Sequence, residues 1–424
     1  MTRLRPQSPA FILLLGSLVT LASFATDMGL PVLAQTGGSL GVTAARAALT
    51  LSVFMAGFAI GPLACGPISD RIGRRPVLLA GCATFGLFGA LGASAHSLSA
   101  LLLWRLLMGV GAGTSQVIVL AMVRDLFAGR EARTKQSYVN IAAGVAPIIA
   151  PTLGVTIAAY GGWRAIYAVL AVGALVLVAI AARALGESAP SRAGPPLTLR
   201  GVVSSYARVL RHPVSAGYAL VVALSFGSLF AYVSGSSLVL ISLMGVSPRT
   251  YGLCFASGAL GFTIGAFTNT RLLRRGVSHT SIVGAGLAVA TALALALVAL
   301  TLVGALRAWG LVPLMVASNI GLGAARPNAS QGALEPMPDI AGVASAVLSA
   351  LQMFTGAAAS ALTAALFDGR SAIAVTGTTA AFAVAALVVY VAVVRPAERR
   401  FPPHLAMAAA EREPGPFTTG EAVA

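Results

Sequence analysis

The sequence predicts an all-α membrane protein: twelve transmembrane helices in two six-helix bundles, with both termini in the cytoplasm. Three observations carry this. Of 424 residues, 57% are hydrophobic and only 9% charged, against roughly 25% charged in a soluble domain. There is too little polar surface to face water. The apolar residues also come in long blocks, such as 165–182, which holds no charge. Blocks of about 20 apolar residues match the hydrocarbon thickness. Finally, the basic residues gather between the blocks, dense in alternate gaps. Only helices and closed barrels satisfy every backbone group in lipid, and these blocks lack the dyad alternation of barrel strands.

In chain order, the first-half spans are expected at 10–34, 44–66, 76–95, 98–122, 134–158 and 163–183. The second-half spans are expected at 213–243, 249–270, 279–304, 308–329, 339–366 and 372–394. The chain then divides into an N-terminal bundle (1–183), a cytoplasmic linker (184–212), a C-terminal bundle (213–394) and a disordered cytoplasmic tail (395–424). The linker is the one long polar interior stretch and carries Arg192, Arg200, Arg208 and Arg211. Met1 to Arg5 is basic and precedes an apolar block, as in a signal peptide. That block runs past signal-peptide length, so it reads as the first helix.

With the N-terminus inside, the inner gaps hold Arg71, Arg74, Arg75, Arg124, Arg130, Arg133, Lys135, Arg271, Arg274 and Arg275, with the linker and tail arginines. The outer gaps hold only Arg46, Arg164, Arg249, Arg307 and Arg370. The asymmetry is about four to one, as the positive-inside rule requires. Basic turns follow the second span (Asp70-Arg71-Ile-Gly73-Arg74-Arg75) and the eighth (Arg271-Leu-Leu-Arg274-Arg275). Their shared place in each half suggests two parallel repeats, a recurrent transporter plan.

The net charge of +16 is accounted for by orientation and needs no nucleic-acid partner. Cys65, Cys82 and Cys254 lie in or beside apolar blocks, and no disulfide framework is expected. The four histidines show no metal-site spacing. Lys135 is the only lysine, so a phosphate-binding Gly-x-x-x-x-Gly-Lys loop is missing. No nucleophile–base–acid arrangement suggests an enzyme, and no cofactor is expected.

Asp27 is the most informative residue. It lies inside the first block, in Phe24-Ala-Thr-Asp27-Met-Gly-Leu-Pro31. A carboxylate in hydrocarbon is costly and usually faces an aqueous cavity with a job to do. An acid that can be neutral or charged according to its surroundings is what proton coupling requires. The plainer alternative is an Asp that caps a helix break near Pro31. Arg105 lies within the fourth span. It and Asp27 each sit about seven residues from the outer helix end, so both lie roughly 10 Å below the outer surface. Equal depth would let them share one polar region; a snorkelling arginine is the bland reading.

The fifth span holds Gly144-Val-Ala-Pro147-Ile-Ile-Ala-Pro151-Thr-Leu-Gly154. Two prolines four apart share a helical face and bend the helix. Gly144 and Gly154 would let neighbouring helices approach closely. Gln116, Tyr138, Asn140, Phe226, Phe230, Tyr232, Asn319 and Gln352 are polar or aromatic within spans and are candidates for a substrate cavity.

These residues resemble the major facilitator superfamily, and within it the Bcr/CflA branch of twelve-span drug:proton antiporters. The resemblance covers roughly residues 10–395. Gly66–Pro76 is similar to the superfamily's cytoplasmic loop, and Arg105 to Gly113, leading to Arg124-Asp125, to its fourth-helix motif. Ala146–Gly154 followed by Gly162-Trp163-Arg164 resembles the antiporter fifth helix. Thr26-Asp27-Met28, Phe230-Ala-Tyr232 and Pro327-Asn328-Ala329 also look like the branch. The resemblance implies alternating access, with Asp27 as the titrating acid and Arg105 as its electrostatic partner. It implies that Asp70, Arg74 and Asp125 form an inner gate that latches the halves in the outward-open state. Three positions depart from the pattern: Ala150 and Val155, where glycines are common, and Arg326, where an apolar residue is expected.

The expected function is proton-coupled export of small drug-like molecules across a bacterial inner membrane, by a chain acting as a monomer. The partners expected are a drug-like solute, protons and the lipid bilayer. An exporter of an endogenous metabolite, with drugs as side cargo, is the alternative.

Overall fold

The computed structural model describes residues 4–188 and 199–400, which are almost wholly helical. In the first half α1 spans Pro9–Asp27, α2 Leu33–Ser39, α3 Ala44–Ile72, α4 Arg74–Ala93, α5 Leu98–Leu126 and α6 Gly129–Ala184. A short helix α7, Leu199–Arg211, precedes the second half. There α8 spans Pro213–Ser237, α9 Pro248–Arg274, α10 His279–Leu302, α11 Ala308–Leu334, α12 Ala341–Leu366, α13 Ile373–Val389 and α14 Arg395–Arg400.

Local chemistry sets many of these boundaries. Ser8, Thr43, Ser97, Ser247 and Ser278 each accept a hydrogen bond from the backbone N–H three residues on, which satisfies an otherwise orphaned donor at a helix start. Pro9, Pro213 and Pro248 stand at first helical positions, where their missing N–H costs nothing. The first two starts, Pro9 and Ala44, fall within a residue of those expected.

Among the described residues, eleven helical segments are long and apolar enough to cross a membrane. Two of them differ from a plain rod. The first is interrupted: α1 stops at Asp27, a 3₁₀ turn covers Leu30–Val32, and α2 resumes at Leu33. The expected continuous span 10–34 is therefore broken at its one carboxylate. The other is α6, whose 56 residues contain a non-helical corner at Gly161 and Gly162. Gly162 has φ +66, a conformation in which a Cβ would be strained. Beyond the corner, the Trp163 indole N–H donates to Ser39 Oγ (2.6 Å), and Arg164 donates to the carbonyl of Ala95 (2.9 Å). These bonds tie the second limb to the neighbouring loops. The two limbs, 129–160 and 163–184, cover the stretches 134–158 and 163–183 where the fifth and sixth spans were expected.

At the chain's end, helix continues to Arg400, six residues into the stretch expected to be disordered. The reason is tertiary: Ala397 is buried, and the Tyr218 hydroxyl donates to Glu398 (2.6 Å). Residues 401–424, the rest of the expected tail, and 189–198 of the expected linker lie outside the described residues.

Packing is unequal along the bundle. Away from the termini, the halves share one large core, in which Leu30, Leu51 and Met55 pack with Phe226, Leu238 and Val375. A hydroxyl pair, Ser52 to Ser360 (2.9 Å), joins α3 to α12 within that seal. Toward the termini, the cores are separate: Phe11, Leu78 and Val123 belong to the first half, and Tyr218, Leu287 and Tyr390 to the second. Seal at one end and separation at the other leave a space between the halves.

Candidate functional site

That space is a cavity of about 640 Å³, within the range of small-molecule sites. Four first-half helices (α1, α3, α5, α6) and four second-half helices (α8, α9, α11, α12) wall it. Most of the lining is apolar, with Met55, Phe58, Phe230, Phe262 and Met353 prominent. Among its lining residues Asp27 is the only acid and Arg326 the only base.

Asp27 is 5% exposed and sits where α1 ends. Among the described residues its carboxylate accepts no hydrogen bond, and the residue lines the cavity.

Arg105 is 4% exposed, and the structure places it differently from the shared polar region expected. Its Nη1 donates to the carbonyl of Ala25 (3.0 Å) and its Nε to that of Thr50 (3.1 Å). Its guanidinium stacks 4.3 Å from the centroid of the Phe54 ring. The bond to Ala25 sets Arg105 against the last turn of α1, two residues before Asp27, yet Arg105 forms no ion pair with that acid. It lines a separate, smaller pocket with Tyr167 and Trp163. The break after Asp27 is one cause: it sends the chain on through the Leu30–Val32 turn, while Ala25, within the last helical turn, offers its carbonyl to Arg105.

The charged turn between α3 and α4 is compact. Arg74 meets Asp70 (2.5 Å) and Asp125 (2.9 Å), and its Nη1 also donates to Ser69 Oγ (2.6 Å). Glu187 accepts from the backbone N–H groups of Arg74 (2.8 Å) and Arg75 (3.2 Å). In this conformation these bonds join first-half residues to one another and to Glu187 of the linker. The approach to the other half is by Arg124, whose Nη1 stands 3.8 Å from a Cβ built on Gly342, at the start of α12. Sequence inspection passed over Glu187 because it lies in the linker, far along the chain.

On α6 the two glycines part company. A Cβ on Gly154 would collide with the carbonyl oxygen of Met28, so this glycine is what lets α6 lie against the end of α1. Gly144 does not act as expected: a Cβ there would meet no heavy atom within 4 Å, because Gly144 faces the cavity. Pro147 also lines the cavity, whereas Pro151 is buried.

Of the cavity candidates, Gln116, Asn140, Phe226, Phe230, Tyr232 and Asn319 line the space. Gln352 sits just behind the wall and accepts a hydrogen bond from Arg326. Tyr138 is absent from the lining and is 54% exposed, on another face of α6. Arg326, which also lines the cavity, stood out from sequence only as a departure from the family pattern with a bearing on the inner mouth or the charge of the substrate. The signal for Arg326 was present, since an ionisable residue inside a span calls for a role.

The sequence matches the profile of the Major Facilitator Superfamily over residues 13–360. It is 32% identical to a chloramphenicol resistance protein of Pseudomonas aeruginosa, over 80% of each chain. It is 28% identical to a bicyclomycin resistance protein homolog of Haemophilus influenzae, over 82% of this chain and 87% of that one. A crystal structure of a bacterial homolog of the human lysosomal transporter Spinster, inward-facing and occupied, superposes with a TM-score of 0.68 at 15% identity. It covers 96% of this chain and 98% of that one.

Proposed function

Since the chain belongs to the Major Facilitator Superfamily, we propose that this multi-pass membrane protein exports small drug-like molecules across the bacterial inner membrane in exchange for protons. The observation that carries the reading is Asp27: a carboxylate inside the membrane, without a hydrogen-bond partner among the described residues, on the wall of a solute-sized cavity between the halves. A charged group in that setting is costly unless it works. The resistance functions named for two relatives favour drugs as cargo.

The chain crosses the membrane twelve times in this reading. The corner at Gly161 and Gly162 turns α6 into two crossings, because 56 residues of helix would measure about 84 Å, far beyond a bilayer. An even number of crossings puts both termini on one side, and the excess of arginine there makes that side the cytoplasm. The cavity then communicates with the cytoplasm, and the shared core around Leu51 and Phe226 closes the periplasmic side. The halves, 1–183 and 213–394, rock about the cavity in alternating access. Cargo and proton compete for Asp27, so a proton entering from outside displaces the cargo. Arg105 holds the α1 break that aims Asp27. Asp70, Arg74 and Asp125 form the inner gate, which meets the second half when the cytoplasmic side closes.

Inverted membrane vesicles with an imposed proton gradient test this. Adding a phenicol or a bicyclic peptide antibiotic releases protons, followed with a pH-sensitive dye, in the wild type, and Asp27→Asn abolishes that release. Equal drug-driven proton flux in both proteins would remove Asp27 from coupling.

A further inference from the structure

The cavity holds one base, Arg326, and the export reading assigns it nothing. It projects from α11 just before Pro327, and its guanidinium lies 5.0 Å from the Phe226 ring centroid and 5.8 Å from that of Phe262. Two aromatic faces fix the plane of the fork. One of its N–H groups donates to Gln352. A guanidinium has five donors, so most of this one's capacity is unspent on protein. No carboxylate among the described residues forms an ion pair with it. An intramembrane arginine normally pairs with an acid or with backbone carbonyls, as Arg105 does with Ala25 and Thr50. Arg326 does neither and borders the solute space.

We propose that Arg326 docks the carboxylate of the cargo, and that the cavity is built for zwitterionic aromatic solutes. The carboxylate seats on the open edge of the Arg326 fork in a charge-assisted, two-pronged hydrogen bond. The aromatic body lies among Phe58, Phe230, Met55 and Met353. A basic nitrogen at the other end of the solute reaches Asp27 on the opposite half and competes there with the proton. Charge complementarity selects the class: the cavity has one negative wall and one positive wall, and a zwitterion leaves neither bare. A purely anionic solute would face Asp27, and a purely cationic one would leave Arg326 unpaired. Because the two charges belong to different halves, such a solute also bridges the elements that move.

The proposal rests on the export reading, and a binding measurement separates the two. The probe is 6-aminomethyl-2-naphthoate, compared with its methyl ester, which keeps the amine and loses the negative charge. Affinities are read by titration on the full chain in lipid nanodiscs. The acid binds the wild type at least about tenfold more tightly than the ester, the worth of one charge-assisted contact. Arg326→Gln brings that ratio to about one, and Arg326→Lys restores part of it, since an ammonium keeps the charge without the fork. The ratio isolates the carboxylate contact from any general loosening of the site. An unchanged ratio in Arg326→Gln, equal weakening of acid and ester, or a wild type that prefers the ester would each overturn the proposal. If phenicol-driven proton flux persists alongside such a result, only this inference fails. If neither probe binds and no drug drives flux, the export reading fails with it.

Discussion

Arg105 and Arg326 lie deep within membrane-spanning helices, and their surroundings are opposite. Arg105 in the first half is spent: two backbone carbonyls take its donors, Phe54 covers its face, and it is 4% exposed. Arg326 in the second half is held by aromatic faces and one amide, and it borders the cavity. Each is a charge that lipid would penalise. The first is solvated by backbone carbonyls of its own bundle. The second keeps its donors for something that arrives. An intramembrane charge therefore reads as architecture or as recognition according to how many of its hydrogen bonds the protein itself supplies.

Substitutions test that contrast, and Arg105→Gln should have the largest effect. It leaves the buried carbonyl of Ala25, in the last turn of α1, without its donor, at about 1–3 kcal/mol, and removes a second donor from the Thr50 carbonyl, which keeps its place in the α3 helix. Melting temperature in detergent and drug export should fall together. A variant with wild-type stability and altered cargo choice would make Arg105 a recognition residue and erase the contrast. Asp70→Ala comes next: it cuts one of the two acids from Arg74, and transport should collapse while the amount of protein in the membrane stays normal. Normal turnover in vesicles would exclude the gate. Gly154→Ala forces a methyl group into the Met28 carbonyl, and overpacking of this kind costs roughly 1–3 kcal/mol; thermal unfolding should register it. Gly144→Ala is the smallest change. Its methyl enters open space, so the helix should gain up to about 1 kcal/mol, and a destabilised Gly144→Ala would mean that this face of α6 is packed.

Much of the fold was legible because its signals are local. The helix starts expected at 10, 98 and 279 fall beside Ser8, Ser97 and Ser278, whose side chains cap them in the structure. The Gly161-Gly162 pair marks a corner within an apolar run that no single crossing could contain. Asp27 was legible because a carboxylate in an apolar block stands out by type. Facing was not legible. In helices this uniformly apolar, the lipid side and the packed side look alike, and sequence periodicity carries little direction. Tyr138 and Asn140 are two residues apart on α6, yet only Asn140 reaches the cavity.

By itself, then, the sequence determined that the chain is built of apolar helical segments, where many of them begin and end, and which few charges lie inside them. These follow from transfer to lipid and from backbone groups satisfied within one helix. Only the tertiary structure decided that Arg105 turns to the carbonyls of Ala25 and Thr50, that Gly154 meets Met28, and that Arg326 looks into the same cavity as Asp27. Each of those outcomes depends on the rotation and approach of helices far apart in the chain, which close packing of side chains sets and no single segment encodes.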